Sequence, residues 1–224
     1  MKNYLIGTTL ILGSFVTPSF AEESKSIYLS IGGGVALPSD IEGDATISGT
    51  KIDAKFPTDD PFFYSFGIGK EINDWRVEFN YSGTTLSTDS VTATTGGNGV
   101  TASITPNLEA DAKVYMVYGY KDFPNEGKFT PYLGLGLGTA TLETKDTTAS
   151  VVGVDLTLKG ASESVFSYGL KGGFDYEIAE NTNLYTEATY QNFASYTISE
   201  PGNVDTNYDS INYFGVSAGL RFYF

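Results

Sequence analysis

An all-β fold, an eight-stranded antiparallel up-and-down transmembrane β-barrel, is predicted by three features of this 224-residue sequence. Apolar residues alternate with period two in eight segments of roughly ten residues. The connections between those segments alternate short and long. Twelve of the 26 glycines fall on the polar side of the segments, where a narrow barrel needs small residues.

The first stretch is not part of that fold. Lys2, the apolar run Tyr4 to Val16 and Pro18-Ser19-Phe20-Ala21 have the layout of a secretory signal peptide, with small residues at the positions a signal peptidase reads. The run is shorter than the roughly 20 residues a spanning helix needs. Residues 1–21 are expected to be removed and residues 22–224 to form the barrel.

Each strand is justified by its alternation. In the first, Ile27, Leu29, Ile31 and Val35 oppose Tyr28, Ser30, Gly32 and Gly34. In the second, Tyr64, Phe66 and Ile68 oppose Ser65, Gly67 and Gly69. The third sets Trp75, Val77, Phe79 and Tyr81 against Arg76, Glu78, Asn80 and Ser82. The fourth sets Ala112, Val114, Met116, Tyr118 and Tyr120 against Asp111, Lys113, Tyr115 and Gly119. In the fifth, Leu133, Leu135 and Leu137 oppose Gly134, Gly136 and Gly138. Phe166, Tyr168, Leu170, Phe174 and Tyr176 oppose Ser167, Gly169, Lys171, Gly173 and Asp175 in the sixth. Leu184, Thr186, Ala188 and Tyr190 oppose Tyr185, Glu187, Thr189 and Gln191 in the seventh. The last sets Phe214, Val216, Ala218, Leu220, Phe222 and Phe224 against Tyr213, Gly215, Ser217, Gly219, Arg221 and Tyr223.

The links after strands two, four and six are short, at Asn73-Asp74, Asp122 to Phe129 and Ala179 to Thr182. The other links run roughly 18 to 24 residues, the asymmetry of outer-membrane barrels with short periplasmic turns and long external loops. Three long links read as hairpins that extend the strands above the membrane, one of them turning at Gly96-Gly97-Asn98-Gly99. A count of ten or twelve strands is the alternative.

Composition decides which side faces inward. The apolar side carries almost no charge, and Lys or Arg near the bilayer midplane on that side costs about 2 to 4 kcal/mol. Its exception, Lys70, lies at a turn end where a long side chain reaches the headgroups. Aromatics gather near strand ends, where Phe62, Trp75, Tyr81, Tyr120, Tyr132 and Tyr176 are expected to form the interfacial girdles. The glycine side therefore lines the lumen.

That lumen is expected to hold Arg76, Lys113, Lys171 and Arg221 against Glu78, Asp111, Asp175, Glu177 and Glu187. Charges in a dry interior persist only when paired and hydrogen-bonded. The expectation is a salt-bridged core, centred on Glu78, Lys171, Glu187 and Arg221, that leaves no continuous water pore. A glycosidase-like carboxylate pair is the weaker reading, because carboxylates facing nearby cations need no catalytic explanation.

Composition also excludes function classes. The chain has no Cys and no His, which removes disulfides, zinc-thiolate sites and every catalytic pair built on an imidazole. Without the first 21 residues it holds 12 basic and 27 acidic side chains, a net charge of −15. Nucleic acid is a poor partner for such a surface. The long links contribute −11 of that charge. Clusters such as Asp40, Glu42 and Asp44, or Asp59 and Asp60, could bridge divalent cations to lipopolysaccharide. No spacing matches a calcium loop, so a solvated repulsive surface is the preferred reading, with no metal and no cofactor.

Thr130-Pro131-Tyr132-Leu133-Gly134-Leu135-Gly136-Leu137-Gly138, the segment Phe166 to Tyr190 and the closing Gly219-Leu220-Arg221-Phe222-Tyr223-Phe224 carry a resemblance over the whole chain after residue 21. It resembles the porin-like, opacity-protein and OmpA/OmpX-type eight-stranded outer-membrane barrels, including the rickettsial-type surface antigens. The resemblance implies a Gram-negative outer-membrane home amid lipid and lipopolysaccharide, with periplasmic chaperones and the barrel-assembly machinery as partners in biogenesis. It also implies that Phe214, Ala218, Leu220, Phe222 and Phe224 are the C-terminal assembly signal. The chain stops where OmpA-type proteins continue into a peptidoglycan-binding domain. Barrel enzymes of similar fold rely on a His that is missing here. The expected function is a non-enzymatic surface structural or interaction protein acting through acidic loops toward a host or environmental ligand. A narrow porin or small hydrophobic-solute channel is the alternative.

Overall fold

A computed structural model describes residues 27–47, 50–95, 98–144, 147–151, 154–158, 160, 162–200 and 204–224. The expected signal peptide lies outside the described residues. Fourteen strands follow in order: β1 (Ile27–Pro38), β2 (Ile41–Ile47), β3 (Thr50–Phe56), β4 (Phe62–Ile72), β5 (Trp75–Thr95), β6 (Asn98–Asp122) and β7 (Phe129–Thr144). The chain continues through β8 (Thr147–Val151), β9 (Val154–Leu158), β10 (Ser162–Ala179), β11 (Thr182–Phe193), β12 (Tyr196–Glu200), β13 (Val204–Tyr208) and β14 (Ile211–Tyr223).

Eight of them form the barrel. β1 pairs with β4, β4 with β5, β5 with β6, β6 with β7, β7 with β10, β10 with β11 and β11 with β14, all antiparallel. β14 pairs back onto β1, from Tyr28 opposite Tyr223 to Pro38 opposite Tyr213. This closure leaves no open edge in the bilayer, where an unpaired backbone group costs several kcal/mol. The turn ends are short, and Asn73 takes a positive φ of 56° to make the tight link from β4 to β5.

The long connections stand above the barrel as a crown of strands. β2 and β3 form one hairpin, and the upper halves of β5 and β6 form a second. β8 with β9 and β12 with β13 form the other two. The β12–β13 hairpin was not visible as a strand pattern in the sequence. Among the described residues, the crown strands pair in the order β12, β13, β2, β3, β5, β6, β8, β9, with β9 and β12 at the ends.

Burial is inverted relative to a soluble protein. Leu135 is 69% exposed and Phe79 48%, while Glu187 is 5% and Lys171 8% exposed. The apolar side of the strands thus faces the bilayer and the glycine side the lumen. The lumen has two tiers. Its lower tier holds the charged groups. The upper tier is apolar, built from Ala112, Val114, Ala140, Leu142, Val165, Phe193 and Ile211, with Ile41, Tyr196 and Tyr213 packed against it. The sequence had suggested a polar interior throughout.

β6 departs from the expected phase. Ala112, Val114, Met116, Tyr118 and Tyr120 point inward and are buried, while Tyr115, Val117 and Gly119 point to lipid. The reason lies on the neighbouring strand. Tyr118 packs its ring on Gly136 and Tyr120 on Gly134, in space that β7 leaves empty by carrying no side chain there. Substituting Gly136 with Leu should collide with Tyr118 and lower folding stability by about 1 to 3 kcal/mol. Gly119→Leu, on the lipid face, should leave it nearly unchanged. Urea titrations of the refolded barrel, followed by heat-modifiable gel migration, check both outcomes.

Candidate functional site

Among the described residues, the lower lumen is where charged groups from five strands meet. Strand alternation puts Arg76 and Glu78 on β5, Asp122 on β6, Lys171 and Asp175 on β10, Glu187 on β11 and Arg221 on β14 along the inner wall. The Arg76 guanidinium donates to Asp122 Oδ1 through Nε at 3.0 Å and Nη2 at 2.7 Å. Its Nη1 lies 3.3 Å from Asp175 Oδ2. Arg221 Nη1 donates to the other oxygen of Asp175. One carboxylate therefore holds two guanidiniums.

A second pair sits beside the first. Lys171 Nζ lies 2.9 Å from Glu187 Oε1, and Tyr132 Oη donates to Glu187 Oε2 at 3.1 Å. Among the described residues, Glu78 has no cation in direct contact. Ser30 Oγ, Asn80 Nδ2 and Tyr120 Oη donate to it at 3.3, 3.0 and 3.5 Å. Of the four residues expected to centre the core, Lys171 and Glu187 contact each other, while Arg221 turns to Asp175 and Glu78 to neutral donors.

Aromatic rings fill the spaces between charges. Arg76 lies 4.8 Å over Tyr132 and 5.0 Å over Tyr120; Arg221 lies 4.8 Å over Tyr185 and 5.3 Å over Tyr28. Lys171 sits 4.4 Å over Tyr118. Desolvated cation–π contacts of this kind contribute about 2 kcal/mol each. Above them, Tyr118 Oη donates to Gln191 Oε1 at 2.8 Å, and Ser167 Oγ donates to the Asn192 carbonyl at 2.7 Å. These groups form a plug in which most donors and acceptors are directed at one another; among the described residues Tyr28 Oη and Arg221 Nε are buried without a hydrogen-bond partner.

Several expected site residues are placed elsewhere. Lys113 is not luminal: it faces outward from β6 and pairs with Glu143, each side chain 42% exposed. Asp111 shares that outward face, and Glu177 is exposed at the turn end of β10. Tyr120 and Tyr132 are not girdle residues but buried members of the plug. Phe62 and Trp75 project outward, Tyr81 packs 5.2 Å from Tyr115, and Tyr176 packs 4.7 Å from Phe129. Phe214, Ala218, Leu220 and Phe222 share the outward side of β14, with Phe224 exposed beyond its end.

Asp122 and the β6 tyrosines Tyr118 and Tyr120 were missed as luminal groups, and one signal could have found them. Asp122 shares the phase of Tyr118 and Tyr120, so setting β6 in its true phase brings all three inward together. In the crown, Lys55 reaches Asp40 at 2.8 Å and Glu42 at 3.1 Å, and Lys51 reaches Asp53 at 3.1 Å. Hydrogen bonding to these carboxylates holds both lysines above the ordinary lysine range. The Asp40 and Glu42 cluster thus spends its charge on a lysine of the same hairpin.

Removing one partner of a buried ion pair strands the other charge and costs about 3 to 5 kcal/mol, whereas an exposed pair contributes less than about 1 kcal/mol. Asp175→Asn should therefore destabilise the barrel severely and Lys113→Gln barely, as read from urea midpoints in detergent.

Comparison with known proteins agrees with this architecture. Residues 7–222 match the family described as "Outer membrane protein beta-barrel domain". The outer membrane protein PagN of Salmonella typhimurium is 35% identical over 100 residues, covering 43% of this chain and 41% of PagN, so the match spans about two-fifths of that relative. The outer membrane protein OprG from Pseudomonas aeruginosa superposes with a TM-score of 0.58 at 15% identity, over 89% of this chain and 95% of that one. The outer membrane protease OmpT from Escherichia coli superposes with a TM-score of 0.57 at 9% identity, over 93% and 99%. At such identities these two structures speak for the fold alone. The chain belongs to the outer membrane protein beta-barrel family, whose members reside in the bacterial outer membrane.

Proposed function

We propose that this protein is a non-enzymatic outer-membrane barrel with a closed lumen, and that its work is done by the acidic crown as a surface structural or interaction element. The carrying observation is the plug, in which Asp175 joins Arg76 and Arg221 while tyrosine rings occupy the space between strands. Such a lumen offers no wet path for ions. It also offers no activated nucleophile, because its carboxylates accept from neighbouring donors and the chain contains no His or Cys to serve as base or attacking group. The crown carries the larger share of the negative charge and stands where an external partner would first make contact.

The apolar upper tier supports a second reading, a conduit for small hydrophobic solutes. A cavity of about 20 Å³ there is lined by Ala36, Phe63, Leu86, Val114 and Ile211 among others. That volume holds little more than one water molecule, so passage requires the tier to rearrange.

Export with cleavage after Ala21, and recognition of the closing strand by the barrel-assembly machinery, complete the proposal. Phe214, Phe222 and Phe224 are all exposed on the lipid side, as a recognition sequence requires.

In planar bilayers the purified barrel should give no stable single-channel steps; regular openings would overturn the closed-lumen reading. The intact mass of protein extracted from outer membranes should correspond to residues 22–224.

A further inference from the structure

The lipid-facing wall near the turn end holds a feature that the closed lumen and the acidic crown do not use. At the foot of β6, Lys121 Nζ lies 3.0 Å from Asp74 Oδ2 and 5.3 Å over the Trp75 ring. Trp75 and Lys121 are cross-strand partners on β5 and β6, and the Asp122 amide donates to the Asp74 carbonyl at 2.9 Å, fixing the link beside them. A cation, an anion and an indole face thus stand together at the membrane boundary. Trp75 is 57% exposed there.

Directly above this cluster, on the same side of β6, is Gly119. Apart from Gly119 and its two chain neighbours, no atom of the described residues lies within 4 Å of where a side chain would begin. Its cross-strand partners are Val77 on β5 and Leu135 on β7, both exposed to lipid. Residues two apart on a strand are about 7 Å apart on the same face. Gly119 therefore opens a notch between two apolar walls, two residues along β6 from Lys121 and about 7 Å from its backbone. The inward-facing Gly69, Gly134 and Gly136 are accounted for by the tyrosine rings they accommodate. This outward one accommodates nothing in the protein.

We propose that Gly119, Lys121, Asp74 and Trp75 form a binding site for one zwitterionic phospholipid of the periplasmic leaflet, with a phosphoethanolamine headgroup. The headgroup carries a phosphate and a primary ammonium a few ångströms apart, the same charge pair in opposite sign as Lys121 and Asp74. Lys121 donates to the phosphate, and the lipid ammonium donates to Asp74 against the indole face. One acyl chain lies in the notch over Gly119, between Val77 and Leu135. A phosphatidylglycerol headgroup satisfies Lys121 but brings no cation to Asp74, so the site discriminates by headgroup charge.

The test is native mass spectrometry of the full barrel, refolded in detergent with equimolar phosphatidylethanolamine and phosphatidylglycerol of identical chains. One phosphatidylethanolamine should be retained in about tenfold preference, the effect of one charge-assisted hydrogen bond. Asp74→Asn should abolish the preference, and Lys121→Gln should abolish retention of both lipids. Gly119→Leu fills the notch and should release the lipid while leaving the headgroup cluster intact. Equal retention of the two lipids by the unaltered protein, several loosely held copies of either, or undiminished retention by Gly119→Leu would each overturn the site. The comparison of the two lipids on the unaltered protein stands even if a variant fails to fold, and heat-modifiable migration reports which variants have folded.

Discussion

The interior of an eight-stranded barrel is about as wide as its own side chains, and this constraint governs the rest of the molecule. Large groups can enter only where the opposite or adjacent strand gives up its own. Gly134 and Gly136 yield to Tyr120 and Tyr118, and Gly69 yields to Tyr28. The rings admitted in this way surround Arg76, Arg221 and Lys171, excluding water from the charges. Once water is excluded, each cation must have a carboxylate, which is why Asp175, Asp122 and Glu187 stand where they do.

The two-tier lumen follows from the same confinement. Low in the barrel, inward positions carry long polar side chains that reach across and pair. Higher up, Ala112, Val114, Ala140 and Val165 bring small and medium apolar groups together under Ile41 and Tyr196 of the crown. The upper tier resembles the core of a soluble sandwich, and it joins crown to barrel by burial as well as by the backbone. An outward-facing hydrophobic band is thus combined with two different interior chemistries in one wall.

Most of this was legible from alternation. The faces of β1, β4, β5, β7, β10, β11 and β14 were readable because each sets a charged or glycine-rich side against an apolar one. β6 was not, because both of its sides are apolar or aromatic over Val114 to Tyr120, leaving Asp111 and Lys113 to set the phase. Those two residues sit high on the strand, where an outward charge meets water or headgroups and carries no information about the lumen. The partners of Tyr118 and Tyr120 are glycines on the next strand, a non-local relation that period-two counting does not contain. For the same reason the pairing of Arg221 with Asp175, instead of Glu78, needed the register between strands. The β12–β13 hairpin is harder to read because each strand has only five residues, too few for the alternation of Tyr196 and Ile198 with Thr197 and Ser199 to stand out.

β5 and β6 are 21 and 25 residues long and pass from the plug to the tip of the crown with a single irregularity in their pairing, between Thr88 and Ser90. At roughly 3.3 Å per residue, the longer strand has a contour of about 80 Å. Its foot is Asp122, locked to Arg76 at the foot of its neighbour. The hairpin acts as a mast stepped in the hull. A load applied at its head along the barrel axis is borne in shear by the backbone hydrogen bonds of the β5–β6 ladder, which is interrupted where the register shifts from Leu108 to Ser103.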